Sequence, residues 1–134
     1  MNTLFDHFIQ TTRRIELIDI TALVRKSIRE SGVHEGICIV FVQHTTAGIT
    51  INENADPDVC SDMDSFFKKL VPNDRSFKHS EGNSDSHIKS TLFGPSLSLI
   101  IHESQPLLGT WQGIYFAEFD GPRQRKLSVK CIAG

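Results

Sequence analysis

Apolar positions along this chain fall into short segments of two periodicities, with polar turns between them. Gly36 to Gln43 contains Ile37-Cys-Ile-Val-Phe-Val42, a β-branched and aromatic run that predicts a buried strand. Strict alternation in Ser96-Leu-Ser-Leu99 and Lys126-Leu-Ser-Val-Lys-Cys131 predicts strands with one wet face. Trp111 to Phe119 reads as a longer, more apolar strand, and Ile49 to Glu53 as a strand that follows a turn at Thr46-Ala-Gly48. Phe5 to Ile18 predicts a strand pair around the polar turn Thr11-Thr-Arg-Arg14. Helical spacing takes over in Val59, Met63, Phe66, Phe67 and Leu70, which form one apolar face. Asp56 stands before that helix as an N-cap, Pro57 takes its first position, and Pro72 closes it. A further helix runs from Asp19 or Thr21 to about Glu30, with Gly32 at its end, and a shorter one from Asn83 or Ser84 to Gly94. About seven strands and three helices joined by short turns predict a single α+β domain with a largely antiparallel sheet or sandwich, spanning residues 1–134.

One stretch fits neither pattern. His79-Ser-Glu-Gly-Asn-Ser-Asp-Ser-His87 holds two imidazoles, two carboxylates and a carboxamide with no apolar residue. It cannot be ordinary core, because buried polar groups without partners are costly. It is a solvated loop leading into a helix, or a set of side chains held around a metal, a phosphate or a polar substrate, and the density of ligand-type residues favours the second. With a helix starting near Asn83, His87 lies in its first turn, where free N–H groups favour anions, and Asn83 and His87 share a face.

Composition narrows the class. At 134 residues, with 39% hydrophobic and 22% charged, the chain is a globular domain of ordinary size. A formal net charge of −2 argues against nonspecific nucleic-acid binding. No run of about 18 apolar residues could span a bilayer, and no secretory signal is visible at the N-terminus. Cys38, Cys60 and Cys131 are far apart and odd in number, which reads as reduced thiols in a cytoplasmic protein.

Other candidates stand elsewhere. His44 ends the Gly36 strand, and taken alone is more often a satisfied strand-end residue than a ligand. In a simple hairpin it would sit near the turn, away from Glu53 and Asn54. Gly109-Thr-Trp-Gln-Gly113 offers an aromatic plate, Trp111, beside the Gln112 carboxamide, although tryptophans commonly fill cores. Arg125 shares strand parity with Leu127 and Val129, so it points inward at a sheet edge to hold a phosphate or carboxylate, or else protects a solvated edge. There is no phosphate loop, dinucleotide fingerprint, nucleophile elbow or paired CxxC.

Five blocks stand in a recognisable order: His44-Thr-Thr-Ala-Gly48, Asn52-Glu-Asn-Ala-Asp56, His79-x-Glu-Gly-Asn83 with Asp85 and His87, Leu108-Gly-Thr-Trp-Gln112, and Glu118-Phe-Asp-Gly-Pro-Arg123. They resemble the YjbQ-like family, also called the secondary thiamine-phosphate synthase family. The resemblance covers almost the whole chain. It implies an α+β domain assembling as a homotrimer, with polar pockets near the subunit contacts and a weak thiamine-phosphate synthase activity. Carried over by position, it makes His44, His79 and His87 metal-ligand candidates. Glu81, Asn83 and His87 become candidates for the catalytic groups, and Arg123, Asn52, Trp111 and Gln112 for substrate contacts. Ser86 departs from the small residue, often alanine, usual before the last histidine.

The expected function is therefore a transferase that joins a pyrimidine methyl diphosphate to a thiazole phosphate. Arg123, Arg125 and Lys89 would neutralise the diphosphate and Trp111 would wall the pyrimidine. The cofactor is a divalent metal. Magnesium suits diphosphate transfer, whereas three histidines suit zinc and point equally to a metal-dependent hydrolase of a small phosphorylated or acyl substrate. A non-catalytic small-anion-binding module is the third reading.

Overall fold

A computed structural model describes residues 2–134. It places eight strands and three helices among the described residues, in two antiparallel sheets. In chain order they are β1 (Leu4–Gln10), β2 (Glu16–Asp19), α1 (Thr21–Ser31), β3 (Gly36–Val42), β4 (Ala47–Glu53), α2 (Pro57–Leu70), α3 (Ser84–Phe93), β5 (Ser96–His102), β6 (Gln105–Pro106), β7 (Gln112–Glu118) and β8 (Gln124–Ala133). The larger sheet runs β1-β8-β3-β5-β6 and the smaller β2-β7-β4. The α+β class is as the sequence predicts.

Two expected hairpins are not hairpins. β1 pairs with β8 and β2 with β7, so the polar turn at Thr11–Arg14 carries the chain from one sheet to the other. β3 likewise belongs to the larger sheet and β4 to the smaller. Periodicity reports which strands exist, whereas pairing is decided by long-range burial. The core lies between the sheets: Cys38, Val40 and Val42 of β3 and Leu127, Val129 and Cys131 of β8 face Ile49, Ile114 and Phe116. Helix α1 adds Val24 and Ile28, both fully buried, and ends at Gly32, whose φ of 72° favours glycine.

Polar groups stitch the sheets together at one end. Arg125 of β8 is 2% exposed and Glu118, at the end of β7, is 0% exposed. The Arg125 Nε donates to Glu118 Oε1 at 2.8 Å and its Nη2 donates to Oε2. The same Nη2 reaches Thr46 Oγ1 at 2.9 Å on the β3–β4 crossover, and Thr11 Oγ1 donates to Glu118 Oε1 at 2.7 Å from the β1–β2 crossover. Burial pushes the Glu118 carboxyl up, but hydrogen bonds from Arg125 and Thr11 outweigh it and hold the group below its ordinary range.

Helix α3 has an unusual buried side: Asp85, Ser86, Lys89 and Ser90, all polar. Ser86 Oγ donates to Phe119 O and Ser90 Oγ to Ala47 O, both at 2.6 Å, so two hydroxyls one turn apart fasten the helix to the smaller sheet. Ser86 thus uses its hydroxyl for an anchor that an alanine would lack. The approach is close: a Cβ at Gly48 would lie 2.9 Å from Phe93 Cβ and 3.0 Å from Gly94 O, which accounts for the glycine.

Replacing Arg125 with Met should cost about 3–5 kcal/mol in urea unfolding, because it strands a buried carboxylate. Arg125→Met combined with Glu118→Leu should lose less than the single change; a larger loss in the double variant would refute this account.

Candidate functional site

Three segments converge on one open, polar cavity of ≈ 630 Å³. Its lining includes His44, Thr45 and Thr46 from the β3–β4 crossover, His79 and Glu81 from the loop before α3, Asn83 and His87 from the start of α3, and Arg123 and Arg125. The crossover that overturns the β3–β4 hairpin is what makes this possible. By leaving the larger sheet after Val42 the chain carries His44 toward the start of α3, instead of folding it back on β3.

His79 and His87 are the central pair. Their ring centroids are 5.3 Å apart with planes 84° apart, edge to face. The Glu81 carboxylate stands 3.9 Å from His79 Nε2. Asn83 is 9% exposed; its Nδ2 donates to Asp120 Oδ2 at 2.8 Å, which fixes the amide's orientation and leaves Oδ1 buried without a partner. Arg123 braces Asp120 from the other side, donating from Nε to Asp120 O at 2.9 Å and from Nη2 to Oδ2 at 3.0 Å. A guanidinium carries five N–H donors, so Arg123 keeps others for a ligand.

His44 has a different role from the other two. Strand β3 stops pairing with β8 at Val42–Leu127, and the next β8 amide, Lys126 N–H, donates instead to His44 Nε2 at 2.8 Å. With its Nε2 lone pair used, the neutral ring carries its proton on Nδ1 and acts as a donor. Burial, and then the charge of Arg125, hold the imidazole below its ordinary range and so keep it neutral.

The three histidines therefore share a cavity without forming a metal centre. Among the described residues no group of three His, Cys, Asp or Glu side chains stands where it could hold one ion. The set does not fit the divalent metal, zinc or magnesium, that the resemblance implies, since one of its three lone pairs is already taken by a backbone amide.

Other sequence candidates lie elsewhere. Ala47 borders the cavity end of β4 and Asn52 stands five residues further on, roughly 16 Å at strand rise. There Asn52 Nδ2 contacts Met63 Sδ at 3.5 Å and pairs across to Gly113, beside Gln112, whose Oε1 accepts from Gly109 N at 2.8 Å. Trp111, neither core nor cavity wall, is 62% exposed. The charge of Arg125 is matched inside the fold by Glu118, and Lys89 lies on the other side of α3, so neither neutralises a diphosphate as expected. Thr45 and Thr46 line the cavity and Asp120 braces Asn83 and Arg123, roles that turn chemistry alone does not reveal. Only their place in the His44 and Glu118 blocks could have pointed to them.

A family model described as UPF0047 protein YjbQ-like matches residues 6–134. The chain belongs to this family. A UPF0047 protein of Methanocaldococcus jannaschii is 57% identical over 96% of this chain and 94% of its own length. YugU of Bacillus subtilis is 49% identical over 92% and 95%. The crystal structure of an uncharacterized conserved protein of the YjbQ/UPF0047 family from Clostridium acetobutylicum superposes with a TM-score of 0.93 at 53% identity, covering 96% of this chain and 99% of that one.

These relatives overturn the expected reaction. None of these descriptions names a thiamine-phosphate synthase or any transferase, and among the described residues the three-histidine metal centre on which that mechanism and the zinc hydrolase would rest is not assembled.

In an NMR pH titration His44 should titrate below the ordinary imidazole range as the Nδ1–H tautomer, whereas an Nε2–H tautomer would refute the geometry. Because its folded-state value is lowered, the stabilisation it contributes is present above the unfolded value of about 6.5. It is lost as pH falls from there through the folded value.

Proposed function

We propose that this YjbQ-like protein binds a small phosphorylated molecule in the histidine cavity, with His79 and His87 meeting the phosphate. The observation that carries the reading is their edge-to-face pairing, 5.3 Å between centroids, at the first turn of a helix. Helix N-termini present N–H groups to anions, and the His44 Nδ1–H and the remaining Arg123 donors line the same cavity. Asn83 Oδ1, buried without a partner, supplies an acceptor for a hydroxyl on the ligand or on a protonated phosphate. Arg123, whose guanidinium keeps donors beyond its bonds to Asp120, supplies the positive charge an anionic ligand requires. Glu81, beside His79, is placed to orient the ring or take its proton.

The test is an NMR titration with inorganic phosphate and glycerol phosphate, with glycerol as the uncharged control. Phosphate compounds should shift the His79 and His87 ring signals, and His87→Ala should weaken binding about tenfold, as loss of a charge-assisted hydrogen bond does. Its stability should change by less than about 1 kcal/mol, since the imidazole is at the cavity wall rather than in the core. Unmoved ring signals at millimolar phosphate, or equal affinity in the variant, would remove this function.

Assembly follows from a different surface, and here too the reading is a proposal: a homotrimer. The outer face of the larger sheet exposes Leu4, Phe8, Ile37, Phe41, Ile100 and Ile132, with Phe8 at 65% and Ile100 at 60%. Strand register puts these on one side: Ile37 pairs laterally with both Ile100 and Ile132. Asp6, Lys126, Ser128 and Lys130 lie among them on the same face, so the face is mixed, and exposed apolar residues gathered on one side mark protein interaction sites. Sedimentation equilibrium at micromolar concentration should give three times the chain mass, and a monomer mass would contradict it. The three free thiols support a cytoplasmic, reducing compartment, and no helix among the described residues is long and apolar enough to cross a membrane.

A further inference from the structure

We infer that the cleft between α2 and α3 is a second binding site, taking a small apolar hydroxy-carboxylate whose charge rests on Lys89. The cleft has a volume of ≈ 250 Å³, and a cavity of about 150 Å³ already accepts a benzene ring. It shares no lining residue with the histidine cavity. Lys89 and His87 are two positions apart on α3, about 200° around the helix axis, so they serve opposite sides.

The apolar wall is aromatic. Phe67 of α2 meets Phe93 of α3 edge to face at 5.0 Å, and Phe93 meets Phe119 at 5.0 Å, with Leu17 and Met63 completing the surface. Against it stands a buried cation. The Lys89 side chain is 3% exposed, and its Nζ lies 3.6 Å from Asp85 Oδ2. That carboxylate is already held by Arg14, whose Nη1 and Nη2 donate to both oxygens at 3.1 Å. The second acid, Asp64, is paired with Lys68 at 2.9 Å through Oδ2. Around the cleft and its continuation, Arg13, Arg14, Lys68 and Lys89 face Asp64 and Asp85 from α2 and α3 and Glu16, which accepts from Thr12, while Arg14 also reaches Asp120 at 4.0 Å. The site is balanced in charge, and what sets Lys89 apart is its burial beside a carboxylate that Arg14 already holds.

Lys89 therefore shares a neutralised partner, and a buried ammonium in that position attracts an anion. Burial holds it below its ordinary range against the pull of Asp85 and, more weakly, of Asp64. One acceptor is also unmet: Asp64 Oδ1 is buried with no hydrogen-bond partner. A ring that lies on the phenylalanines, a carboxylate on Lys89 and a hydroxyl for Asp64 satisfy all three features.

The probes are 3-hydroxybenzoate and 4-hydroxybenzoate, followed by calorimetry and by amide chemical shifts in the full chain. 4-Hydroxybenzyl alcohol keeps the ring without the charge, and acetate the charge without the ring. At least one hydroxybenzoate should bind one-to-one and shift amides of α2 and α3, with both controls weaker. Lys89→Met, which keeps the buried stem, should weaken binding about tenfold or more, and Met63→Trp should abolish it by filling the cleft. Circular dichroism establishes that each variant is folded, and Met63→Trp decides the matter if Lys89→Met is not. Neither hydroxybenzoate shifting α2 and α3, acetate binding as well as they do, or a folded variant retaining wild-type affinity would overturn the proposal. Binding here is read from α2 and α3 and phosphate binding from the His79 and His87 rings, so the two can fail separately.

Discussion

The buried pair of Arg125 and Glu118 is the constraint from which much of this architecture follows. It is the charged contact that ties the larger sheet to the smaller, and both sheet crossovers send a threonine to it, Thr11 from one and Thr46 from the other. Buried charges are costly unless fully hydrogen-bonded, and a hydrophobic pair of similar volume is often as stabilising. What an apolar pair could not do is fix where each crossover passes. Because Thr46 must reach Arg125, His44 is carried to the edge of the same end and the histidine cavity forms there.

Helix α3 depends on the same principle. Its inner surface is polar, yet Ser86 and Ser90 find carbonyls and Asp85 finds a bidentate arginine. A helix packed by hydroxyls and an ion network is positioned by direction as well as by contact. That is useful for an element with a different polar cavity on each side: Asn83 and His87 face one, Lys89 and Phe93 the other.

Much of this was legible in the sequence. Most strands follow from periodicity, and the Asp56 cap of α2 from capping. The apolar face expected on α2 is only partly realised, since Phe66 and Leu70 stay exposed and no residue of the helix is buried, and α3 starts at Ser84 without a side-chain cap from Asn83. The polar stretch from His79 to His87 pointed to a site on the ground that no core could absorb it, and that ground holds only in part: Asp85 and Ser86 are buried with their hydrogen bonds met by Arg14 and Phe119 O. His44, His79, Glu81, Asn83, His87 and Arg123 do line one cavity. Sheet membership was not legible, since a turn between sheets and a turn within a hairpin use the same polar residues, and β6 has only two residues. The His44 tautomer was hidden for a related reason. It depends on the spare amide of Lys126, 82 positions away, left over where β3 stops pairing.

The unmet valences that remain are informative because the rest of the polar interior is so well matched. Among the described residues, Asn83 Oδ1 and Asp64 Oδ1 are the buried side-chain atoms without a partner, and each lies at one of the two cavities flanking α3. Their position at cavity walls rather than within the core puts both acceptors where a ligand hydroxyl can reach them. The Arg123 guanidinium and the imidazoles mark the histidine side and a shared, buried ammonium the other, and only the second has a wall of phenylalanines packed edge to face.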